Sequence, residues 1–282
     1  AFSNFEVFDV AGLASDLDVE ILASNNTVTE IVGSGAVGTN PVELSSLGAG
    51  VGFRALADMG GNELELTQAT AGDLSVTLDA DESTADAASD NNTVTINATN
   101  ATSVTATFDS DNVDTLADGF ANTQTIALDT GAATSIEVVS GGTESSNVLN
   151  LTDTSTDGTN SLLNSITVSG DQDLDLTDIT FSGGTNALDS IDASAMTGDL
   201  TVDLTDLADG GNFTLGSGRE TVQTADDQGT AVADVESIVG FEAAASNAAS
   251  DVEEADIIDS NDALTIVADD DDDSGATDIV DG

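Results

Sequence analysis

Carboxylates are the one kind of reactive side chain this sequence offers in number. It carries 54 Asp and Glu against two basic residues, Arg54 and Arg219, and has no His, Cys, Trp, Tyr or Lys. Without those residues there is no imidazole general base, no thiolate nucleophile, no lysine Schiff base, and no imidazole or thiolate metal ligand. Carboxylate oxygens remain, and the chemistry that suits them is the binding of hard cations. Ca²⁺ takes six to eight oxygen ligands from carboxylates and carbonyls in flexible loops. Acids are grouped as Asp79/Asp81/Glu82, Asp109/Asp111, Asp171/Asp173/Asp175, Asp189/Asp192 and Glu220/Asp226/Asp227. Alternate residues of a strand share a face, so Asp171, Asp173 and Asp175 are placed to point one way. The competing reading of each group is a solvated acidic surface. Paired carboxylates can also hydrolyse glycosides. Sugar sites usually stack on Trp or Tyr, however, and this chain has neither, so an enzyme is the weakest of the classes considered.

The formal net charge of −52 on 282 residues sets the electrostatics. A phosphate backbone needs a basic surface, so nucleic acid is excluded as a partner. An anionic membrane surface is disfavoured on the same ground. No run of about 18 apolar residues is present, so membrane insertion through a helix is not expected. The self-repulsion implies that folding depends on salt, on divalent cations, or on both. Halophilic adaptation is the rival explanation of the acidity and needs no specific sites. The start at Ala1 lacks a basic segment followed by an apolar one, so the chain reads as a fragment or a processed product.

The elements that must position these acids are strands. Short runs rich in Val, Ile, Leu and Thr recur between Gly, Asn, Asp and Ser. They include Phe5–Val10, Val19–Leu22, Val28–Gly33, Leu64–Ala69, Leu74–Ala80, Thr93–Thr99, Ser103–Phe108 and Thr123–Asp129. Further along come Ser135–Ser140, Asn147–Asp153, Ser165–Gly170, Leu174–Gly183, Ser190–Met196, Leu200–Thr205, Phe213–Gly216 and Ser237–Phe241. Several alternate apolar with polar, as in Leu74-Ser75-Val76-Thr77-Leu78, which buries one face and wets the other. No stretch has a helical period. Starts at 64 and 74, 93 and 103, and 190 and 200 are ten apart, and those at 123, 135 and 147 are twelve apart. Two strands per roughly 20–24 residues is a solenoid repeat. An antiparallel β-sandwich has similar spacing. The scarcity of hairpin dipeptides, the single proline (Pro41) and a core of small aliphatics favour the solenoid.

The segment Leu188-Asp189-Ser190-Ile191-Asp192-Ala193-Ser194-Ala195-Met196-Thr197-Gly198-Asp199-Leu200-Thr201-Val202 resembles a recurrent phrase of RTX-type surface-layer proteins, which Gram-negative bacteria secrete by the type I route. Gly216-Ser217-Gly218-Arg219-Glu220-Thr221-Val222 is similar to their calcium-binding nonapeptide, with Glu220 in the Asp place. Ile238-Val239-Gly240-Phe241-Glu242 and, more loosely, Phe2-Ser3-Asn4-Phe5-Glu6 echo a second phrase of the family. The resemblance covers about residues 186–242. It implies an extracellular β-solenoid that binds calcium and assembles with itself. There is one nonapeptide-like copy and no tandem array, so it implies isolated calcium sites rather than a regular ladder of them.

Together these readings predict an all-β chain, a right-handed parallel β-solenoid with β-roll-like repeats. Its parts are an N-terminal β segment (1–60), solenoid repeats (61–250) and an acidic C-terminal segment (251–282) that holds 13 acids. Within that last segment, Asp270–Gly275 is the nearest approach to an EF-hand loop. The expected cofactor is Ca²⁺, bound first by Asp189, Asp192, Glu220 and Asp227, then by Asp171 and Asp173. The expected partner is a further copy of the same chain, in a lattice or filament on the cell surface, with a cell-surface polysaccharide as a second candidate. The alternative is a halophilic adhesin or matrix-binding module without specific calcium sites.

Overall fold

A computed structural model describes residues 6–13, 18–20, 28–35, 42–60, 62–80, 91–111, 123–143, 146–154, 161–181, 188–203, 211–223, 235–242, 257–259, 266–269 and 279–281. Twenty-one strands lie in these segments. In chain order they are β1 (Val7–Asp9), β2 (Asp18–Glu20), β3 (Glu30–Gly33), β4 (Val42–Leu47), β5 (Gly52–Ala55), β6 (Glu63–Leu78) and β7 (Asn92–Phe108). Next are β8 (Thr123–Thr130), β9 (Ser135–Ser140), β10 (Ser146–Asp153), β11 (Ser165–Gly170), β12 (Leu174–Leu176), β13 (Ile179–Phe181) and β14 (Ser190–Met196). The last are β15 (Leu200–Asp203), β16 (Gly211–Thr214), β17 (Glu220–Gln223), β18 (Val235–Glu242), β19 (Ile257–Asp259), β20 (Ile266–Asp269) and β21 (Ile279–Asp281). Among the described residues there is no helix, and none long and apolar enough to cross a membrane.

Every described pairing is parallel, and strands alternate between two stacks. One sheet runs β1, β3, β5, the end of β6, the end of β7, β9, β11, β14, β16, β18, β20. The other runs β2, β4, the start of β6, the start of β7, β8, β10, β12 with β13, β15, β17, β19, β21. Each turn of chain therefore adds one strand to each sheet. This is the parallel β-solenoid that the strand spacing predicted, and it excludes the antiparallel sandwich. Strands of both sheets already lie before residue 60 and stack in register on those after it.

The core sits between the two sheets. Alternating sequence places every second side chain inside, as the burial of β8 and β10 shows residue by residue. Inward residues form columns along the solenoid axis. In the first sheet Ile31, Phe53, Val76, Ala106, Val138 and Val168 stand in one register column, all buried. In the second sheet Val42, Leu64, Ile96, Leu128, Leu151 and Ile179 do the same. The layer is mostly Val, Ile, Leu and Ala, with Phe53, Phe108 and Phe213 fully buried among them.

Three local features depart from the sequence-based expectation. The repeat is not constant at 20–24 residues. Along the outward row Glu30, Gly52, Ser75, Thr105, Glu137, Thr167, Asp192 and Thr214, successive turns take 22, 23, 30, 32, 30, 25 and 22 residues. The extra residues lie between strands, for example between Leu78 and Asn92, so the ladder is preserved. The pairs 64–69 with 74–80, and 93–99 with 103–108, are single strands that bend round a corner, with register shifts at Thr67/Gly72 and Gly72/Asp73. Strands β4, β5 and β17, and β19, β20 and β21 within the acidic C-terminal segment, were not among the predicted runs. β4 is interrupted by a bulge between Leu44 and Leu47, with Ser46 at φ 61°. β5 is four residues with an exposed Arg54, and β17 begins on an inward Glu220.

Tight corners join the first sheet to the second after β9, β11 and β14. At two of them the turn needs a glycine. Gly142 and Gly170 have φ of 84° and 124°. A Cβ at either would overlap the backbone carbonyl of the turn beneath, Ser110 for Gly142 and Ser140 for Gly170.

Candidate functional site

The corner after β11 and β14 is the most acidic built feature near the predicted residues. Asp173, Asp199 and Arg219 precede Leu174, Leu200 and Glu220, which share one register column of the second sheet. The Asp199 N–H donates to Asp173 Oδ1 at 3.1 Å, and the Arg219 N–H donates to Asp199 Oδ1 at 3.2 Å. Each carboxylate thus caps the backbone of the next turn. Arg219 closes the stack, its Nη2 lying 3.0 Å from Asp199 Oδ2. Asp171 sits at the same corner, exposed, and its N–H donates to Ser140 O at 3.0 Å.

Glu220 belongs to this corner but points the other way. It stands in the inward column directly above Leu200 and is 1% exposed. Its Oε1 accepts the Gly216 N–H at 2.8 Å, which ties the loop back onto the strand it feeds. Replacing Glu220 with Ala leaves that buried amide without its acceptor. The expected loss is about 1–3 kcal/mol by denaturant unfolding. Arg219→Gln removes an exposed pair and should cost under about 1 kcal/mol in the same measurement.

Asp189 and Asp192 lie elsewhere, at the opposite corner and on the outer face of the first sheet. Both are exposed. Asp189 Oδ2 accepts from the Asn164 side-chain amide one turn below, and Asp192 Oδ1 accepts the Ser194 N–H at 3.0 Å. Asp192 is flanked in register by Thr167 and Thr214. Asp227 is outside the described residues, as are Asp81, Glu82, Asp226 and the segment 270–275. The structure therefore brings Asp171 and Asp173 to one corner with Glu220 turned inward beside them, and separates Asp189 and Asp192 from that group. Asp175 does not share their setting: it lies on β12, half-buried, and accepts from Thr177. Among the described residues no three carboxylates converge as a metal cage.

Several interactions had no sequence signal. Arg54 makes an ion pair with the buried Asp79, which raises the guanidinium pKa chiefly through that hydrogen bond. The Asp9 carboxyl accepts the Ala11 N–H at 2.9 Å and the Ser34 hydroxyl at 2.7 Å. The Ala11 amide is the main reason its pKa is lowered. The Arg54–Asp79 and Ser34–Asp9 contacts each join residues 25 positions apart in sequence, so only the stacking of turns makes them.

The outward rows show how the acidity is arranged. In the middle of the solenoid, acids alternate with neutral residues along the axis. Asp129 stands between Asn97 and Thr152, and Glu137 between Thr105 and Thr167. At the N-terminal end the rule breaks: Glu43 and Glu65 face outward in register on successive turns, and Asp18 holds the same backbone register position one turn earlier. Acidic positions also pair in backbone register near the C-terminal end, Glu242 with Asp269 and Asp259 with Asp281. Like charges directly opposite one another destabilise a sheet, so Glu43 and Glu65 repel one another across their rung. The chain matches no protein-family model, and neither a curated protein nor a solved structure is significantly similar to it.

Proposed function

We propose that this chain is a structural, non-catalytic protein of the cell surface that assembles with copies of itself into a layer or filament through calcium bridges. The observation that carries the reading is the in-register pair Glu43 and Glu65, with Asp18 at the same backbone register position one turn earlier. Glu43 and Glu65, about 4.8 Å apart on the outer face of a sheet, repel one another, and a divalent cation between them removes that repulsion. Calcium does the same between two acidic faces brought together from different copies, where ligands from each complete the six to eight oxygens it takes. Asp171 and Asp173 at one corner, and Asp189 and Asp192 on the other side, are exposed and available for such shared sites. Extracellular calcium modules work at roughly 10⁻⁴–10⁻³ M, which suits a surface location. The resemblance to secreted surface-layer proteins points the same way, and a cell-surface polysaccharide fits as the anchor.

A second reading is favoured by a different observation. Since no three carboxylates converge among the described residues, the acidity also suits a halophilic adhesin or matrix-binding module held folded by salt alone. One experiment separates the two. Particle size is followed by light scattering at fixed ionic strength while calcium is removed with chelator and then restored. The lattice reading expects large particles to dissolve and re-form. Particles that never form, or that ignore the chelator, would sink it.

A further inference from the structure

The inward faces of β8 and β10 carry polar pairs at both ends, Gln124 with Asn147 at the start and a pair that includes a carboxylate at the far end. These strands run in register over eight residues, from Thr123 with Ser146 to Thr130 with Asp153. Along their inward faces Ile126 meets Leu149 and Leu128 meets Leu151, and the last inward pair is Thr130 with Asp153. Thr130 is 0% and Asp153 1% exposed. Asp153 Oδ2 accepts from the Ser161 hydroxyl and, at 3.4 Å, from the Leu163 N–H. Ser161 and Leu163 are themselves buried. Across the rung, Thr130 Oγ1 is buried and has no hydrogen-bond partner among the described residues.

We infer that the space between Thr130 and Asp153 is a binding site for a dehydrated sodium ion, with Ser161 as a third side-chain ligand. Half of the rung spacing of about 4.8 Å is about 2.4 Å, within the range at which a calcium-sized cation meets oxygen. Sodium is nearly that size. A buried carboxylate is costly until its charge is balanced. One carboxylate with two hydroxyls balances a single positive charge, whereas a divalent ion leaves a surplus in an apolar interior. The site lies inside one copy of the chain and does not depend on the assembly proposed above.

The test is thermal unfolding of the whole chain, with chelator present, at one ionic strength set by sodium chloride or by choline chloride. Choline is too large to enter the core. By mass action the wild-type Tm is expected to be about 5 °C higher in sodium. Asp153→Asn abolishes the difference, and Thr130→Val, which keeps the shape and removes the oxygen, loses most of it. If Asp153→Asn does not fold, Thr130→Val decides alone. A wild type indifferent to sodium, or variants that keep the full difference, overturns the site. So does a wild-type gain that calcium in choline reproduces and Asp153→Asn loses, since the ion would then be divalent.

Discussion

Transferring the protein from molar salt with calcium into a chelating buffer of low ionic strength is expected to unfold the solenoid, seen as loss of its far-ultraviolet β signal. The reason is a comparison of two lengths. Neighbouring turns are about 4.8 Å apart, and the screening length is about 3 Å in 1 M salt but about 30 Å at 0.01 M. In molar salt each acid is screened from the turns above and below. In dilute buffer it interacts with acids many turns away. A single pair at one rung spacing costs about 1 kcal/mol in a water-like dielectric. Summed over a charge of −52, that repulsion exceeds the 5–15 kcal/mol by which domains are typically stable. The two basic residues relieve little of it, since Arg54 and Arg219 lie against Asp79 and Asp199. Rescue then tells the two readings apart. Millimolar calcium at low ionic strength refolds a protein with calcium bridges, while a chain that merely needs screening refolds only in high salt. A chain that stays folded in the chelating buffer contradicts both.

The second large effect is expected at one corner. Gly170→Ala should lower stability by roughly 3 kcal/mol or more, a Tm drop of about 6–12 °C for a domain this size. Two costs add. The residue has φ of 124°, where a side chain is strained. Its Cβ would also overlap the Ser140 carbonyl, which accepts the N–H groups of Asp171 and Gln172 at 3.0 and 3.2 Å. That carbonyl is backbone and cannot rotate away without parting two turns. Gly35→Ala is the control: its φ is ordinary and its new Cβ meets only Ala11 Cβ, at 4.0 Å. It should leave the Tm unchanged. Equal Tm values for the two variants would falsify the account of the corner.

The strands were legible because their signal is local. Val94, Ile96 and Ala98 alternate with Thr93, Thr95 and Asn97, and that pattern alone places one set inside and the other outside. Where alternation weakens, legibility fails. Val42–Leu47 carries a bulge, and in Glu220–Gln223 an acid takes the inward place over Leu200. The candidate site was legible only as composition. Asp171, Asp173 and Asp189 were found as acids beside strand ends, and they lie at corners. Which of them meet was not legible, because that depends on how many residues each turn takes.

By itself the sequence determined that the chain is all-β, that its turns stack as a solenoid around an aliphatic core, and that its charge is strongly acidic. The tertiary structure alone decided which acid stands above which. It set Asp18, Glu43 and Glu65 in one row and kept Asp129 and Glu137 between neutral neighbours. It also turned Glu220 and Asp153 into the core. The physical reason is register. Side-chain alternation is fixed two residues at a time, whereas the neighbour across a rung lies 20–36 residues away. That offset changes with every insertion between strands, so only the folded chain fixes which charges meet.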